Sequence, residues 1–431
     1  MSYSQRVGAL LRQAGAEEGD YVKVVLDRSR EYAGVLMPHH EFSDPDIIVL
    51  KLKSGYNIGL RMNEGARLEV LSKAVRKERP HRPANKSDER RRVGVLGTGG
   101  TIASYVDYRT GAVHPALSAE DLISAVPEMA ELCQVEAKVV FSIFSENMMV
   151  EHWQRLAAEI ADRLDSGDEG VIVPHGTDTM GYTAAALSFM LDDLPAPVVL
   201  VGAQRSSDRP SSDAYTNLIS AARFCTSADA AEVFVLMHES ISDTTAAVHR
   251  GTRVRKMHTS RRDAFQSVNE GPVARMDLDG KVEMLSPCRK RSSSKVKLRP
   301  AMEERVCLVQ FYPGMSSSAF GALLRAHKGA VIAGTGLGHV SHELVHVIKD
   351  VVKEGIPVVM TSQCLNGRVN LNVYDTGRDL LSAGVIPGED MLPETAMVKL
   401  MWALANSSDP EGTKDLMATN LRGEMSDRRE A

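Results

Sequence analysis

The chain has 431 residues, of which 43% are hydrophobic and 25% are charged, and its formal net charge at pH 7 is −5. A chain of this length is too long for a single hydrophobic core. Its composition is that of a globular protein, which excludes the disordered and fibrous classes. We find no apolar run of about 18 residues and no signal-peptide core, so we expect no membrane span and no secretion. Five scattered cysteines without a CxxC pair argue against a disulfide scaffold and indicate the cytoplasm.

Residues 1–72 form a unit of their own. A short amphipathic helix is followed by several short apolar runs, separated by glycine, proline and aspartate. Such runs predict a small β-barrel, a kind of module that often docks a partner. Residues 73–92 hold nine Lys/Arg against three Asp/Glu and predict a charged linker, with direct contact to a polyanion as the alternative.

From residue 93 onwards, short apolar strands alternate with glycine-rich turns and helices. This alternation predicts an α/β fold, with a parallel sheet and helices on both of its faces. We expect a first α/β lobe that carries the active site over 93–290 and a second over 291–431. The basic segment 286–300, with six Lys/Arg and no acid, would join them; a patch that faces RNA or a partner protein is the alternative.

The first candidate for chemistry is the strand-to-helix turn LGTGGTIAS, residues 96–104. Gly97 and Gly99 fit a dinucleotide fingerprint, but Ile102 stands where the third small residue belongs, and no phosphate-loop lysine follows. The turn does offer backbone N–H groups and the hydroxyls of Thr98 and Thr101. A threonine there can act as a nucleophile if another group removes its proton. A purely structural tight turn is the alternative.

The second candidate is PHGTDTMGYTAAAL, residues 174–187, where His175, Thr177, Asp178 and Thr179 crowd the end of a buried strand. Ligands in parallel sheets bind beyond the carboxyl ends of the strands, so two such turns can face one pocket. Alternatively, Asp178 and Thr179 merely cap the helix that follows.

A third motif, HExxH at residues 342–346, would place two histidines on one helical face as zinc ligands. The extended form of this motif needs glycine and histidine where Lys349 and Val352 stand, and Glu354 is too near to serve as a distal ligand. We therefore expect an ordinary amphipathic helix and no metal.

Taken together, TGGTIAS (98–104) and HGTDTM (175–180) resemble the paired signatures of type I/II L-asparaginases and glutaminases. VVLVGAQR and TSQCLNGRV extend this resemblance over about residues 93–431. The resemblance implies a two-lobed asparaginase-like fold and hydrolysis of a side-chain amide, that of glutamine or asparagine.

The same resemblance implies roles for individual residues. The nucleophile falls on Thr101, and its partners fall on Thr177, Asp178 and Lys256, with the proton that Lys256 moves left open. The residues that would bind substrate are Ser145, Glu146 (where the family usually has glutamine), Gly100 and Gly176. The family's loop tyrosine has no clear counterpart, so Tyr105, Tyr108 or neither takes that role.

The ninety residues before GGTIA, together with GYNIG, SIFSENM and SSDRPSSDA, resemble more narrowly the D-subunit family of archaeal Glu-tRNA(Gln) amidotransferases. This resemblance implies a glutamine amidohydrolase that supplies ammonia for converting Glu-tRNA(Gln) to Gln-tRNA(Gln). It also implies a homodimer within a heterotetramer. The partner, which is the E subunit of the amidotransferase, would bind the tRNA, ATP and magnesium, and this chain would need no cofactor.

Two other functions compete with the ammonia-supplying role. The first is a free-standing asparaginase or glutaminase, which the extra N-terminal module and the two basic stretches of this chain disfavour. The second is a non-catalytic binding module, which the presence of all four catalytic-type residues disfavours.

Overall fold

The computed structural model describes residues 3–27, 30–37, 44–52, 57–73, 90–99, 105–106, 113–114, 128–204, 213–242, 244–277 and 279–426. In the N-terminal domain, helix α1 (Gln5–Ala14) precedes five strands: β1 (Tyr21–Val25), β2 (Glu31–Met37), β3 (Ile47–Leu52), β4 (Asn57–Arg61) and β5 (Arg67–Ser72). All are antiparallel, in the order β4-β3-β2-β1-β5. Alternate residues of β1, Val22 and Val24, are buried in one cluster with Val7 and Leu11 of α1.

The first α/β lobe is built on one large sheet with several short ribbons. Its strands are β6 (Arg92–Gly97), β7 (Tyr105–Val106), β8 (Val113–His114), β9 (Gln134–Val139), β10 (Val171–Pro174), β11 (Leu191–Asp192), β12 (Val198–Val201), β13 (Val233–His238), β14 (Thr245–Arg250), β15 (Val254–Lys256), β16 (Phe265–Ser267), β17 (Ala274–Asp277), β18 (Val282–Met284) and β19 (Lys297–Leu298). Its helices are α2 (Met129–Leu132), α3 (Val150–Asp165), α4 (Met180–Met190) and α5 (Ala214–Ser227).

The eight-stranded sheet of this lobe has the order β18-β17-β14-β13-β12-β10-β6-β9. Five neighbouring strands, β9, β6, β10, β12 and β13, run parallel to one another. Strands β14, β17 and β18 continue the sheet with antiparallel pairing. Every residue of β10 and β12 is buried, because side chains on both faces enter an apolar cluster. Helix α3 buries Val150, Trp153, Leu156, Ile160 and Leu164, at the three-to-four-residue spacing of one helical face.

Strand β6 begins at Arg92, one residue before the start that we expected for this lobe. The Arg92 guanidinium donates to Asp168 at 2.5 Å, and Arg163 donates to the other oxygen of this buried carboxylate at 2.7 Å. Two cations thus neutralise Asp168, as a buried charge requires.

The basic segment 286–300 packs against the first lobe. Backbone hydrogen bonds join Ser292 to Pro195 and Arg299 to Met190. The Arg291 side chain donates to the carbonyl oxygens of Glu169 and Ala228. These contacts are those of a connecting segment held on the lobe surface.

The second lobe has a four-stranded parallel sheet of β20 (Val306–Gln310), β21 (Gly329–Gly334), β22 (Val358–Ser362) and β23 (Ile386–Pro387). Its helices are α6 (Ser317–Arg325), α7 (His342–Lys353), α8 (Asp375–Ser382), α9 (Pro393–Asn406) and α10 (Pro410–Ala418). Trp402 of α9 stacks on Phe189 of α4, with ring centroids 6.0 Å apart, so one core cluster continues from lobe to lobe. The predicted two-lobed α/β fold is confirmed, and where we expected a small β-barrel the N-terminal domain has one sheet of five antiparallel strands.

The HExxH run forms the first turns of α7, whose buried face consists of Leu344, Val345, Ile348 and Val351. The rings of His342 and His346 pack edge to face, with centroids 5.1 Å apart. Within the described ranges, no group of three or more His, Cys, Asp or Glu side chains could hold a metal ion. None of the helices in those ranges is long and apolar enough to cross a membrane.

Candidate active site

The described start of the first turn, Thr98 and Gly99, lies beside the second turn at the carboxyl edge of the large sheet, because β6 and β10 are parallel neighbours. The backbone N–H and the hydroxyl of buried Thr98 both donate to the carbonyl oxygen of Pro174, at 3.2 and 2.9 Å. Gly99 has φ +103°, and a Cβ there would lie 2.4 Å from the carbonyl oxygen of Ile143. Only glycine fits this close approach, which brings the first turn against the segment that leads to Ser145.

Three residues predicted for the site, Gly100, Thr101 and Tyr108, lie outside the described residues. Tyr105 begins the short strand β7, for which the structure describes the backbone alone. The nucleophilic role of Thr101 therefore stays a prediction from sequence.

Ser145 is held directly against the second turn. It begins a short 3₁₀ turn, Ser145–Asn147, and is buried, whereas the neighbouring Glu146 is exposed. A Cβ at Gly176 would stand 2.7 Å from the Cβ of Ser145, so the glycine permits this approach. The hydroxyl of Thr179 donates to the carbonyl oxygen of Ser145 at 2.7 Å. Ser145 and Gly176, both predicted for substrate binding, are thus in contact.

Lys256 joins the other two predicted side chains. Its ammonium donates to the hydroxyl oxygen of Thr177 and to the carboxylate of Asp178, at 2.8 Å in each case. The side chains of Lys256 and Asp178 are 15% and 69% exposed, so this group spans from the protein interior to solvent. Residues almost eighty positions apart in the chain therefore form one hydrogen-bonded group.

The capping alternative for Asp178 and Thr179 is wrong, because neither side chain caps α4. Thr179 occupies the N-cap position, but its side chain makes no capping bond and instead reaches Ser145. The Asp178 carboxylate accepts from Lys256 and lies near the positive end of the α4 dipole. Both polar groups thus point towards the candidate site.

The third turn at this edge follows β12 and supports Thr177 from behind. A Cβ at Gly202 would lie 2.7 Å from the Cγ2 of Thr177, and Asn217 donates to the Gly202 carbonyl oxygen at 2.9 Å. Asn217 in turn contacts a ring nitrogen of His238 at 2.8 Å. Our sequence reasoning assigned no role to Gly202 or Asn217. The small residues that end the VVLVGAQ strand could have pointed to Gly202, whereas no local signal in the sequence marks Asn217.

His175, adjacent to these groups in sequence, is fully buried and faces away from solvent. Burial lowers the pKa of its imidazole to about 4, and one ring nitrogen lies 2.6 Å from the Gly176 carbonyl oxygen. The ring is therefore neutral at physiological pH and acts as packing beneath the turn.

Three family models match this chain. "Asparaginase, N-terminal" covers residues 92–289, "Glutaminase/Asparaginase C-terminal domain" covers 305–417, and "GatD N-terminal domain" covers 16–71. Among curated relatives, the D subunit of glutamyl-tRNA(Gln) amidotransferase from Pyrococcus furiosus is 54% identical over 97% of each chain. Its counterpart from Methanothermobacter thermautotrophicus is 47% identical over 99% of this chain and 98% of the relative.

The chain belongs to the D-subunit family of glutamyl-tRNA(Gln) amidotransferases. The predicted family resemblance is thereby confirmed. Solved structures support the family's two-lobed core: the thermostable L-asparaginase of Thermococcus kodakarensis is 33% identical, with a TM-score of 0.70. This match covers 78% of the present chain and 100% of that asparaginase. L-asparaginase I of Vibrio cholerae is 30% identical, with a TM-score of 0.68, over 78% of this chain and 99% of its own.

Proposed function

We propose that this chain hydrolyses the side-chain amide of glutamine and supplies the ammonia to an ATP-dependent glutamyl-tRNA(Gln) amidotransferase. The observation that carries the proposal is the Lys256 ammonium, which bridges Thr177 and Asp178 beside Ser145 at the carboxyl edge of the sheet. A hydroxyl and a carboxylate joined by an amine can hold and pass protons, and nucleophilic amide hydrolysis needs such proton transfers.

In the first half of the reaction, the Thr101 hydroxyl oxygen attacks the amide carbon of glutamine. An ester bond forms, the carbon–nitrogen bond breaks, and the proton of the hydroxyl passes to the leaving nitrogen, which departs as ammonia. Backbone N–H groups of the turns that hold Gly100 and Gly176 stabilise the negative charge that develops on the carbonyl oxygen.

In the second half, water attacks the ester, glutamate leaves, and the Thr101 hydroxyl regains a proton. Thr177, Lys256 and Asp178 form the relay through which the proton lost by the water returns to the Thr101 oxygen as the ester bond breaks. Ser145 binds the amino-acid end of the substrate, and the exposed Glu146 carboxylate is placed to attract the positively charged α-amino group.

The full assembly pairs this chain with the E subunit of the amidotransferase, which binds tRNA, ATP and magnesium, while this chain contributes no cofactor of its own. We place two copies of each protein in a cytoplasmic heterotetramer. The match of residues 16–71 to the GatD N-terminal domain and 54% identity over nearly full length support the part of this proposal that makes the chain a subunit of an amidotransferase. A free-standing asparaginase is the second candidate, because two L-asparaginases share the two-lobed fold.

Ammonia chemistry provides the test that separates the two candidates. Free ammonia at pH 7 is mostly ammonium, a poor nucleophile, so an ammonia donor gains from coupling hydrolysis to the partner's readiness. We expect weak glutaminase activity from the isolated chain and strong stimulation by the E subunit with Glu-tRNA(Gln). A complex that carries Thr101→Ala should still form Gln-tRNA(Gln) when it is given ammonium chloride and ATP.

Two results would contradict the proposal. Full activity of the isolated chain, unchanged by partner and tRNA, would identify a free asparaginase-type enzyme. Failure of the Thr101→Ala complex to use ammonium would show that this chain does more than release ammonia.

A further inference from the structure

The hairpin that carries Lys256 is short and exposed at its tip. It pairs β15 with β16 through Val254–Ser267, Arg255–Gln266 and Lys256–Phe265. His258 and Arg261 at the tip are exposed. An isolated two-stranded hairpin is marginally stable at best, so other elements must hold Lys256 against Thr177.

The first end of the hairpin is fastened to the second lobe. The hydroxyl of buried Thr252 donates to the carbonyl oxygen of Arg422 at 3.0 Å, and the Thr395 hydroxyl donates to the Thr252 carbonyl oxygen at 2.9 Å. Arg253, also buried, donates to the carbonyl oxygen of Gly423 at 2.8 Å and to the Asp390 carboxylate at 3.0 Å. The chain is thus clamped three residues before Lys256.

The second end of the hairpin is fastened to the same lobe by Asn269. This residue has φ +62°, and its amide nitrogen donates to the carbonyl oxygens of Gly367 and Asp390, at 3.2 and 2.8 Å. Its amide oxygen accepts from the N–H of Gly367 at 2.7 Å. One side chain therefore ties the end of β16 to the loop that follows β22.

Asp390 is the point where both ends meet the C-terminal segment 419–426. Its carbonyl oxygen accepts from Arg253 and Asn269. Its carboxylate accepts from Arg253 and from the N–H and hydroxyl of Ser426. The side chains of Arg253 and Asp390 are 1% and 6% exposed, so the charges neutralise each other away from water.

We propose that Asn269 and Asp390 are positioning residues for Lys256, through which the second lobe and its C-terminal segment set the geometry of the Thr177–Lys256–Asp178 group. This inference rests on the proposed amidohydrolase function and extends it to residues outside the Thr177–Lys256–Asp178 group. Misplacing a reacting group by about 1 Å, even through a change far from the chemistry, can lower a rate by about a hundredfold. The second lobe is therefore part of the catalytic apparatus, and its movement would change the rate of amide hydrolysis.

The test is Asn269→Gly in the full chain in complex with the E subunit. Glycine adopts positive φ without strain, so the substitution removes the side-chain bonds and leaves the backbone relaxed. Asp193→Gly is the matched control, because Asp193 also has a positive φ, +54°, and its partly exposed carboxylate pairs with Lys297 rather than with the hairpin. We expect glutamine kcat to fall about 10- to 100-fold in Asn269→Gly, with KM within about twofold and the control near wild type.

A double-mutant cycle separates positioning from general damage. In a Lys256→Met background, Asn269→Gly should change kcat less than about twofold, because the residue through which it acts is already gone. If the Lys256→Met rate is below detection, Lys256→Arg serves as the background. Hydrogen exchange should quicken over 252–268 in Asn269→Gly and stay unchanged in α3.

Thr252→Val gives a second, independent variant, for which the same split between kcat and KM is expected. The positioning role would be overturned if Asn269→Gly lowered activity equally in the wild-type and Lys256→Met backgrounds. It would also be overturned if the loss of activity merely followed the folded fraction, which near-UV circular dichroism measures. Failure of the proposed function looks different: Lys256→Met itself would then keep the wild-type rate of glutamine hydrolysis.

Discussion

Gly176 touches Ser145 so closely that the second turn has no room for a side chain at this position. A Cβ built on Gly176 would stand 2.7 Å from the Cβ and 2.8 Å from the hydroxyl oxygen of Ser145. The contact explains why a glycine precedes Thr177. A single methyl group added at position 176 would displace Ser145.

We therefore expect Gly176→Ala to raise the KM for glutamine, because the methyl group displaces Ser145, and to lower the free energy of unfolding by about 1–3 kcal/mol. Steady-state kinetics and urea unfolding measure the two effects. Gly271→Ala is the control, since a Cβ there meets nothing within 4 Å. An unchanged KM in Gly176→Ala would remove Ser145 from the substrate site.

Thr177→Val and Thr101→Val test the hydroxyls themselves. Each should lower kcat about 10²- to 10⁴-fold, because the proton relay or the nucleophile is lost. The sequence predicts both residues in turns, so we expect the free energy of unfolding to change by less than about 1 kcal/mol. Glutamine turnover and circular dichroism are the measurements, and retained activity in a folded variant would contradict the assigned site.

The buried imidazole of His249 predicts how stability depends on pH. Burial lowers its pKa to about 4, below the ordinary value of 6.5, while Glu239 opposes the shift. Between pH 6.5 and 4 the unfolded chain binds the proton more readily, so the free energy of unfolding falls as pH falls through this window.

The imidazole of His249 accounts for about 3 kcal/mol of that fall. His249→Gln should reduce the difference in unfolding free energy between pH 7 and pH 4 by this order, measured by urea unfolding at both values. A variant with the wild-type dependence would show that the pKa of His249 is the same in the folded and the unfolded chain.

The ion pair of Lys399 and Glu424 fastens the C-terminal segment to α9. The two groups are 2.6 Å apart with both side chains fully buried, and burial lowers the pKa of Lys399. Either Lys399→Met or Glu424→Gln leaves a buried charge unpaired, so each should lower the free energy of unfolding by about 3–5 kcal/mol. In urea unfolding, the double variant should lose less than the sum of the two, whereas simple additivity would mean that the charges do not interact.

Amide hydrolysis by this chain should not depend on a metal ion. Treatment with EDTA should leave glutamine turnover unchanged, because the HExxH run lacks a third ligand. Restoration of an EDTA-inhibited rate by zinc would revive the metal site, whereas magnesium dependence of the complete ATP-driven reaction would reflect the partner protein.

The sequence by itself was enough for the class of fold and for the chemistry-bearing turns. Apolar strands that alternate with helices predict a parallel sheet, and parallel strands bring their carboxyl ends to one edge, so the turns at Thr98 and Thr177 were expected at the same edge. That β6 and β10 are direct neighbours is a result of the tertiary structure. The glycines at 99 and 176 were visible in these turns, but their close approaches to Ile143 and Ser145 were found only in the structure.

Only the tertiary structure decided what holds these turns in place. Nothing in the local sequence around Asn269, Asp390 or Ser426 predicts that they meet at the hairpin of Lys256. Asn269 and Asp390 are 121 residues apart along the chain, and Asp390 and Ser426 are 36 apart. Thr179 likewise had two local possibilities, a helix cap or a contact elsewhere, and the nearness of Ser145 decided between them. Hydrogen bonds between distant segments depend on which surfaces the packed lobes bring together, and local propensity does not encode that packing.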